Sequence, residues 1–342
     1  MRIPPKFKLF IRIVNSLDLL FEVRTQKSGV RRQNIFPLPH SPTLPLPHSP
    51  TPPLPHSLIM SHSLNFKSEH RCFDGTVAYY SHESQCCRSS MNFAVYLPPQ
   101  AKIKPVPVLY YLSGLTCTEE NFTVKAGAER YAAKYGIMLV IPDTSPRNTG
   151  IVEEDETWDL GSGAGFYVDA IADPWKNHYQ MYSYIVTELP EIIHHNFNVN
   201  VNKTGIFGHS MGGHGALICA LRNPEKYRSV SALAPIANPI NSPWGQKAFT
   251  AYLGKNKDHW YDYDASQLVK KNQLNYPILI DQGLDDPFYQ QKQLLPEKFQ
   301  EVCEQVGQQL ILRFHQGYDH GYFMISTFME DHISYHALYL SD

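Results

Sequence analysis

Residues 204–221, TGIFGHSMGGHGALICAL, decide the fold of this 342-residue chain. A short apolar run precedes the pentapeptide Gly208-His209-Ser210-Met211-Gly212, a G-x-S-x-G, and a run of small residues follows it. Strand, tight turn and helix in this order are the context in which such a pentapeptide presents a nucleophilic serine. Glycines on both sides of the serine remove Cβ atoms that would collide with the strand and the helix. The alternative is a glycine-rich turn that only packs a helix on a strand.

On both sides of this motif, short apolar runs recur along the chain from Met60 onward. They lie at residues 93–97, 106–112, 137–141, 204–207, 230–233, 278–280 and 310–314. Several are continuously apolar, which is typical of parallel strands covered on both faces. Helical spacing of apolar residues occurs at residues 181–197, 293–306 and 322–339. The pattern predicts an α/β fold, with a mainly parallel central sheet, helices on both faces and functional groups at the carboxyl ends of strands.

A nucleophilic serine needs a base and an acid that orients the base. In this strand order both are expected to follow the serine along the chain, each after a later strand. The two last predicted strands run into segments that contain Asp286 and His320. We therefore expect Ser210 to act with His320 as the base and Asp286 as the orienting acid.

Other polar residues compete for these roles. Asp285 adjoins the favoured acid and stays an open alternative to it on position alone. Asp281 follows its strand too soon and is expected to cap the turn, while His315 is expected to pack at the sheet edge. His209 and His214 flank the serine within the turn itself, where a side chain points badly for taking the serine proton. We expect both to pack around it.

The oxyanion of an acyl-transfer intermediate needs two convergent donors. The Met211 N–H at the start of the predicted helix is one candidate. The other is the Leu115 N–H, in the loop Ser113-Gly114-Leu115-Thr116-Cys117-Thr118 that follows an early strand. Cys117 lies in the same loop and is a candidate for the pocket wall. The alternative for Cys117 is a small buried apolar residue.

The formal net charge of −2 is the sum of two unlike parts. Residues 1–59 carry eight Lys/Arg and two Asp/Glu, which gives +6, and the remainder carries 22 and 30, which gives −8. PLPHSPT occurs at residues 37–43 and 45–51, and PLPHS at 53–57. This composition predicts a low-complexity, proline-rich, extended segment without a core. We expect translation to start at Met60, so that residues 1–59 are upstream sequence read as protein. The alternatives are a low-complexity tail and a ligand for SH3-like modules. Residues 60–342 are expected to form one domain.

Composition also excludes several classes of function. The near-neutral net charge gives no electrostatic sign of nucleic-acid binding. The sequence has no stretch of about 18 uninterrupted apolar residues, so no membrane span is predicted. Residues 9–21 are apolar but broken by Arg12 and Asp18, unlike a secretory signal. Six cysteines show no CxxC pair and no zinc spacing. We expect no metal, and free thiols in a reducing, cytoplasmic compartment.

Long segments from about residue 61 to the C-terminus resemble the S-formylglutathione hydrolase family, also called esterase D. They include LSGLTCTEENF, EDETWD, GSGAGFYVDA, IFGHSMGGHGALICAL, LIDQGLDDPF and GYDHGYF. The family has nothing similar to residues 1–59. The resemblance implies an α/β-hydrolase fold and a serine thioesterase that converts S-formylglutathione into glutathione and formate, in formaldehyde detoxification. It also implies that no metal or organic cofactor is needed, and it favours a homodimer.

Carried over by motif, the resemblance implies that Ser210 is the nucleophile, His320 the base and Asp286, rather than Asp285, the acid. Cys117 matches a cysteine that the family associates with sensitivity to thiol reagents. Because a formyl group is the smallest acyl group, a narrow acyl pocket is expected. A carboxylesterase of broader specificity, or an acyltransferase of the same fold, is the alternative.

Overall fold

A nine-stranded sheet forms the centre of the computed structural model, which describes residues 63–341. The predictions made for residues 1–59 lie outside the described residues. The strands are β1 (Asn65–Cys72), β2 (Gly75–Ser84), β3 (Ser89–Leu97), β4 (Val106–Leu112), β5 (Met138–Pro142), β6 (Val199–His209), β7 (Val230–Leu233), β8 (Ile278–Gly283) and β9 (Leu310–His315).

The sheet has the order β1-β2-β3-β5-β4-β6-β7-β8-β9. The first three strands are antiparallel to their neighbours, and all pairs from β5 to β9 are parallel. Parallel neighbours need crossover connections, and most of these connections contain helices that cover the sheet. The predicted α/β fold with a mainly parallel sheet is therefore confirmed.

Helices lie between and after the strands. They are α1 (Glu119–Lys125), α2 (Glu129–Tyr135), α3 (Leu189–Asn196), α4 (Met211–Arg222), α5 (Pro243–Leu253), α6 (Ala265–Lys271), α7 (Pro287–Gln290), α8 (Pro296–Val306) and α9 (Tyr322–Leu340). A short α-turn, Met181–Ser183, and a π-helical segment, Tyr184–Glu188, lead directly into α3. Short 3₁₀ turns occupy Pro99–Lys102, Val152–Asp155, Trp175–Asn177, Pro239–Asn241, Lys257–His259 and Tyr261–Tyr263.

The predicted elements differ from the observed ones mainly at the first edge of the sheet. β1 reads NFKSEHRC and is mostly exposed, so it has no apolar alternation to reveal it. β2 also went unpredicted. The predicted strand at 204–207 is the buried end of the longer β6, and the helix predicted over 293–306 begins at Pro296.

Each face of the sheet carries its own buried core. On one face, α4 packs with Leu217 and Ile218 against the strands, and every residue of the helix except Arg222 is buried. On the other face, Met329 and Ile333 of α9 pack beside Phe207 of β6. The two cores fix β6 from both sides, so the turn at its carboxyl end has a rigid support.

Strand register brings the chemically interesting loops together. Leu112, the last residue of β4, pairs with Gly208 near the end of β6, so the loops that follow the two strands start side by side. Gly283 of β8 likewise pairs with His315 of β9. All four loops leave the carboxyl edge of the parallel strands, where the sequence predicted the functional groups. Within residues 63–341, no helix has both the length and the apolar character that crossing a bilayer requires.

Candidate active site

Ser210 occupies a strained turn between β6 and α4. Its backbone has φ 57° and ψ −118°, a conformation that non-glycine residues rarely adopt. The chain passes so close to itself here that a Cβ on Gly208 would lie 2.2 Å from the Gly212 carbonyl oxygen, and one on Gly212 would lie 1.9 Å from that of Leu112. A hydrogen bond from the Ser210 N–H to the Leu233 carbonyl, 3.0 Å long, holds the turn against β7. The glycines are therefore required by the close approach, as the sequence predicted.

Asp286 and His320 lie in contact at the same edge of the sheet. His320 Nδ1 is 2.5 Å from Asp286 Oδ2, and the Asp286 side chain is fully buried. Asp286 also caps α7, since its Oδ1 accepts from the N–H groups of Phe288 and Tyr289, and Gln282 Nε2 donates to Oδ2. Burial opposes the charge of Asp286, but the hydrogen bond and charge of His320 and the two N–H donors outweigh it and lower the pKa of the carboxyl.

Asp285, the alternative acid, faces elsewhere. It is exposed, and its Oδ1 accepts a hydrogen bond of 3.3 Å from Gln316 Nε2. The structure therefore brings Asp286, and not Asp285, to His320.

The His320 ring is held between two aromatic neighbours. The ring of His209 lies 4.5 Å away and that of Phe288 lies 4.8 Å away, centroid to centroid. Burial, followed by the charge of His320, lowers the pKa of His209 well below its usual value, so His209 stays neutral. Within the described residues the Ser210 hydroxyl has no hydrogen-bond partner, and in unliganded sites the link from nucleophile to base is often loose.

His214 also packs beside the turn. It is fully buried, its Nε2 lies 3.0 Å from the Phe166 carbonyl oxygen, and burial lowers its pKa to about 4. The expectation that both histidines flanking the serine pack around it agrees with these contacts.

Two backbone donors lie beside the serine. Met211 is the first residue of α4, and the first N–H groups of a helix have no intrahelical acceptor. In the part of the chain that the structure describes, the Leu115 N–H has no protein acceptor either. A Cβ placed on Gly114 would lie 3.2 Å from Ser210 Cβ, so the loop passes directly over the serine.

The loop that carries Leu115 is fastened at several points. Thr116 donates its N–H to the Gly163 carbonyl at 2.9 Å, and the Tyr167 hydroxyl donates to the Ser113 carbonyl at 2.9 Å. Thr116 has a positive φ of 68°, which these contacts stabilise. Donors fixed in this way need little reorganisation when charge develops in front of them.

Cys117 lies in this loop and is partly exposed. Its carbonyl oxygen accepts hydrogen bonds from Thr144 Oγ1 at 2.6 Å and from Arg147 Nη2 at 3.2 Å. Burial raises the pKa of the thiol, partly opposed by Tyr322 and Lys125. The thiol is therefore protonated at neutral pH, which lowers its nucleophilicity.

Asp281 does not cap the turn, and that prediction is wrong. β8 continues through Gly283, so Asp281 lies within the strand, where its carboxylate is fully buried. Arg313, His315 and His332 all donate to this carboxylate. Burial disfavours the charge, but these partners reverse the effect and lower the pKa of Asp281. His315 lies at the end of the edge strand β9, as expected.

Asp281 belongs to a larger set of buried polar contacts that sequence analysis missed. His332 Nδ1 lies 2.7 Å from Ser231 Oγ, and His336 joins Ser231 Oγ to Ser229 Oγ at 2.9 and 2.7 Å. We call Ser229, Ser231, Asp281, His332 and His336 the buried network. Its hydrogen bonds join residues 51 to 107 positions apart along the chain, and no local motif signals these contacts.

Among the described residues, no group of three or more His, Cys, Asp or Glu side chains is arranged to hold a metal ion. The groups that meet at this edge of the sheet are a serine, a histidine–aspartate pair and backbone N–H groups. This set can carry out acyl transfer through a covalent serine intermediate.

Known proteins of similar sequence are esterases and S-formylglutathione hydrolases. The Esterase family model matches residues 84–335. The S-formylglutathione hydrolase of Mus musculus is 53% identical over 275 residues, which cover 80% of this chain and 98% of that protein. The S-formylglutathione hydrolase of Arabidopsis thaliana is 53% identical over 281 residues, which cover 81% of this chain and 98% of that protein.

Solved structures give a consistent result. An S-formylglutathione hydrolase from Agrobacterium tumefaciens superimposes with a TM-score of 0.79 and 46% identity, over 81% of this chain and 100% of that one. A fluorophosphonate-binding serine hydrolase of Staphylococcus aureus has a TM-score of 0.62 at 20% identity, over 77% of this chain and 98% of that one, and is similar in fold alone.

Proposed function

Because this chain belongs to the S-formylglutathione hydrolase family, we propose that it hydrolyses S-formylglutathione to glutathione and formate through a covalent intermediate on Ser210. The identity of about half over nearly the whole length of the relatives supports the reaction. The single structural observation that carries the mechanism is the 2.5 Å contact between His320 and the buried Asp286 at the same sheet edge as the strained Ser210 turn.

In the first step, Ser210 Oγ attacks the formyl carbonyl carbon while His320 takes the hydroxyl proton. Asp286 accepts the Nδ1–H of His320, which leaves Nε2 unprotonated and available as the base. The lowered pKa of Asp286 keeps this carboxylate charged, so it also stabilises the imidazolium that forms. The pair thus positions the base and balances its charge.

The carbonyl oxygen becomes negative in this step and accepts from the N–H groups of Leu115 and Met211. Removing one such donor typically costs about 10²–10³ in rate. Both donors are backbone groups, so the fastened loop and the helix start determine their positions, and side-chain identity matters less.

Collapse of the intermediate breaks the bond from the formyl carbon to sulfur. His320 returns its proton to the departing glutathione sulfur, and the formyl group stays on Ser210 as an ester. Water then attacks this ester while His320 acts as the base again, and formate leaves with Ser210 restored. No metal and no organic cofactor enters any step.

Several further predictions accompany this proposal. We propose that residues 60–342 form the catalytic domain, which the match to 98% of the relatives' length supports. The six cysteines are free thiols, which suits a reducing, cytoplasmic compartment. Cytoplasmic location, a homodimer, and the absence of nucleic-acid and membrane partners stay predictions.

Hydrolysis of S-formylglutathione by the wild type and by Ser210→Ala tests the mechanism. We expect the variant to lose at least about 10⁴ in kcat, and Ser326→Ala, an exposed serine on α9, to keep wild-type activity. Comparing formyl, acetyl and butyryl esters separates the narrow thioesterase from the broader carboxylesterase. Faster turnover of the butyryl ester, or an active Ser210→Ala, would contradict the proposal.

A further inference from the structure

A polar cavity of about 370 Å³ opens at the carboxyl end of β5, beside the loop that carries Leu115. Its walls come from the turn between β2 and β3, the start of β3, the segment after β5 and the end of the 3₁₀ turn Trp175–Asn177. They include Arg88, Ser90, Asp143, Arg147, Asn148 and His178. None of these residues takes part in the mechanism proposed above. Its size is within the range of small-molecule sites.

The charges around the cavity leave an excess of positive charge. Asp143 and Arg147 form a bidentate pair, with Nε to Oδ2 at 2.8 Å and Nη2 to Oδ1 at 2.9 Å, so these two charges offset each other. Arg88 has no hydrogen bond or ion pair within residues 63–341, and neither does Arg147 Nη1. Lys67 donates to Oδ1 of Asn92, a residue of the cavity wall, at 2.7 Å. Its charge is offset by the nearby buried carboxyl group of Glu119, which also interacts with Arg147. The cavity therefore offers unused donors and a net positive charge.

The backbone that presents Arg88 is held firmly. The buried Glu188 accepts hydrogen bonds from Ser84 Oγ and the Gln85 N–H, each at 2.6 Å, and from the Cys86 N–H at 3.1 Å. Arg88 itself has a positive φ of 47°, which this fastened turn imposes. Because the turn is already ordered, less conformational entropy is lost when a ligand binds to it.

The cavity lies within reach of the reacting centre. Arg147 Nη2 donates to the Cys117 carbonyl at 3.2 Å, and Cys117 is two residues from Leu115. Two residues span at most about 7 Å, so the guanidinium lies at most about 10 Å from the proposed oxyanion donor. The reacting sulfur belongs to the central cysteine of glutathione, and the nine bonds from it to a carboxylate oxygen of the γ-glutamyl arm span about 10 Å when extended. An acyl-glutathione held at Ser210 is therefore long enough to place a carboxylate in the cavity.

We propose that this cavity binds one carboxylate of the glutathionyl part of the substrate, with Arg88 as the principal cation and Arg147 Nη1 as a second donor. The proposal rests on the proposed function, because it concerns the leaving group of that reaction. Charge-assisted hydrogen bonds from guanidinium groups suit a carboxylate better than any neutral donor does. The site explains how a bulky peptide thiol is held while the reacting acyl group is the smallest one.

Arg88→Gln tests this assignment on two substrates that share the formyl thioester. S-formylglutathione carries carboxylates, and S-formyl-N-acetylcysteamine carries none. We expect the variant to raise KM for S-formylglutathione about tenfold, with kcat nearly unchanged, and to leave the kinetics of the second substrate within twofold. Arg147 is a poorer target, because its removal would leave the buried Asp143 unpaired.

Arg228→Gln is the matched control. Arg228 is exposed next to the amino end of β7, at the opposite edge of the sheet, and its removal changes the net charge equally. We expect wild-type kinetics from it on both substrates. The S-formylglutathione glycine ethyl ester then distinguishes the two carboxylates: sensitivity to Arg88→Gln that persists assigns the γ-glutamyl carboxylate, and sensitivity that disappears assigns the glycine carboxylate.

Equal losses on both formyl thioesters, or no loss on either, would overturn the carboxylate site. An equal effect of Arg228→Gln would do the same, because it would show long-range steering only. Failure of the proposed function would be seen differently, as a wild-type enzyme that does not hydrolyse S-formylglutathione at all.

Discussion

Two histidine–aspartate pairs among residues 63–341, His320–Asp286 and His332–Asp281, invite comparison because their surroundings differ. His320 contacts Asp286 at the carboxyl edge of the sheet, at 2.5 Å. His332 contacts Asp281 at 3.0 Å inside the buried network, and its other nitrogen lies 2.7 Å from Ser231 Oγ. By hydrogen-bond geometry alone, the second set is the more complete, since its serine, histidine and aspartate are all linked.

Access and backbone geometry separate the two sets. Every member of the buried network is 0% exposed, whereas the His320 side chain is 14% exposed. Ser231 lies inside strand β7, where its backbone N–H and C=O belong to the ladder. Ser210 lies on a strained turn with the N–H groups of Leu115 and Met211 beside it. A linked serine, histidine and aspartate therefore do not suffice for catalysis. The substrate must also reach the serine, and hydrogen-bond donors must be positioned to stabilise the oxyanion.

The buried network has a structural role instead. Its members come from β7, the residue just before β7, β8 and α9, so it connects the last helix to the sheet. Buried polar groups stabilise a fold only when they are all hydrogen-bonded. We expect substitutions in the network to change stability, and substitutions at the candidate site to change activity.

The largest expected effect is on kcat. Asp286→Asn should lower kcat roughly 10³–10⁴-fold, because the amide cannot accept the Nδ1–H in the same way and leaves His320 in the wrong tautomer. Asp285→Asn changes the adjacent residue identically and should stay within about twofold. Steady-state kinetics of both variants on S-formylglutathione give the comparison; a reversed order would move the acid to Asp285.

A smaller effect, on stability, is expected in the buried network. Asp281→Asn removes the charge that Arg313, His315 and His332 share, and breaking a buried pair typically costs about 3–5 kcal/mol. The free energy of unfolding from urea titration should fall accordingly, while kcat measured well below the unfolding temperature stays within about threefold. A fully folded variant with kcat lowered a thousandfold would give the network a catalytic role.

The candidate site could be predicted from the sequence, and the buried network could not. The candidate site was predictable because each of its parts follows a recognisable apolar strand: Ser210 after β6, and His320 after β9. The buried network was not, because Ser231 and His332 lie 101 residues apart and each looks like an ordinary polar residue in its own segment. Asp281 was misassigned because its strand runs three residues beyond the apolar run that marked it.

The same limit applies to the fold and to the carboxylate cavity. β4 and β7 were predicted with the observed bounds because they are buried on both faces. β1 was missed because its edge position leaves it polar. Arg88 and Arg147 come from separate loops, and only the pairing of β3 with β5 brings those loops together.

The buried network should also affect how stability depends on pH. Burial lowers the pKa of His336 well below its usual 6.5, so the folded chain keeps it neutral while the unfolded chain protonates it. The folded pKa is depressed, so the stability contribution is present above pH 6.5 and is lost as the pH falls below it. His336→Gln should reduce the slope of the unfolding free energy against pH by up to about 1.4 kcal/mol per pH unit.

Unfolding free energies measured between about pH 7 and pH 5 check this point. The matched control is His194→Gln, because His194 is an exposed histidine on α3. This variant should have the same slope of unfolding free energy against pH as the wild type. If His336→Gln and His194→Gln gave the same slope as the wild type, His336 would not be the group that titrates.

The smallest expected effect concerns Cys117. Cys117→Ser should change kcat/KM by less than about threefold, because the carbonyl and the N–H of Cys117 hold the loop and the substitution keeps both backbone groups. The raised pKa of the thiol predicts that inactivation of the wild type by iodoacetamide accelerates as the pH rises beyond the usual thiol range. A large loss of activity in Cys117→Ser would assign the thiol a direct part in the reaction.

The most direct test of the comparison is which serine a fluorophosphonate labels. This reagent reacts with a serine that is both accessible and activated. Intact mass after labelling should show one adduct per chain, and peptide mapping should place it on Ser210, with Ser231 unmodified. Labelling should disappear in Ser210→Ala. An adduct on Ser231, or labelling that persists in Ser210→Ala, would contradict the assignment of the active site to the strained turn after β6.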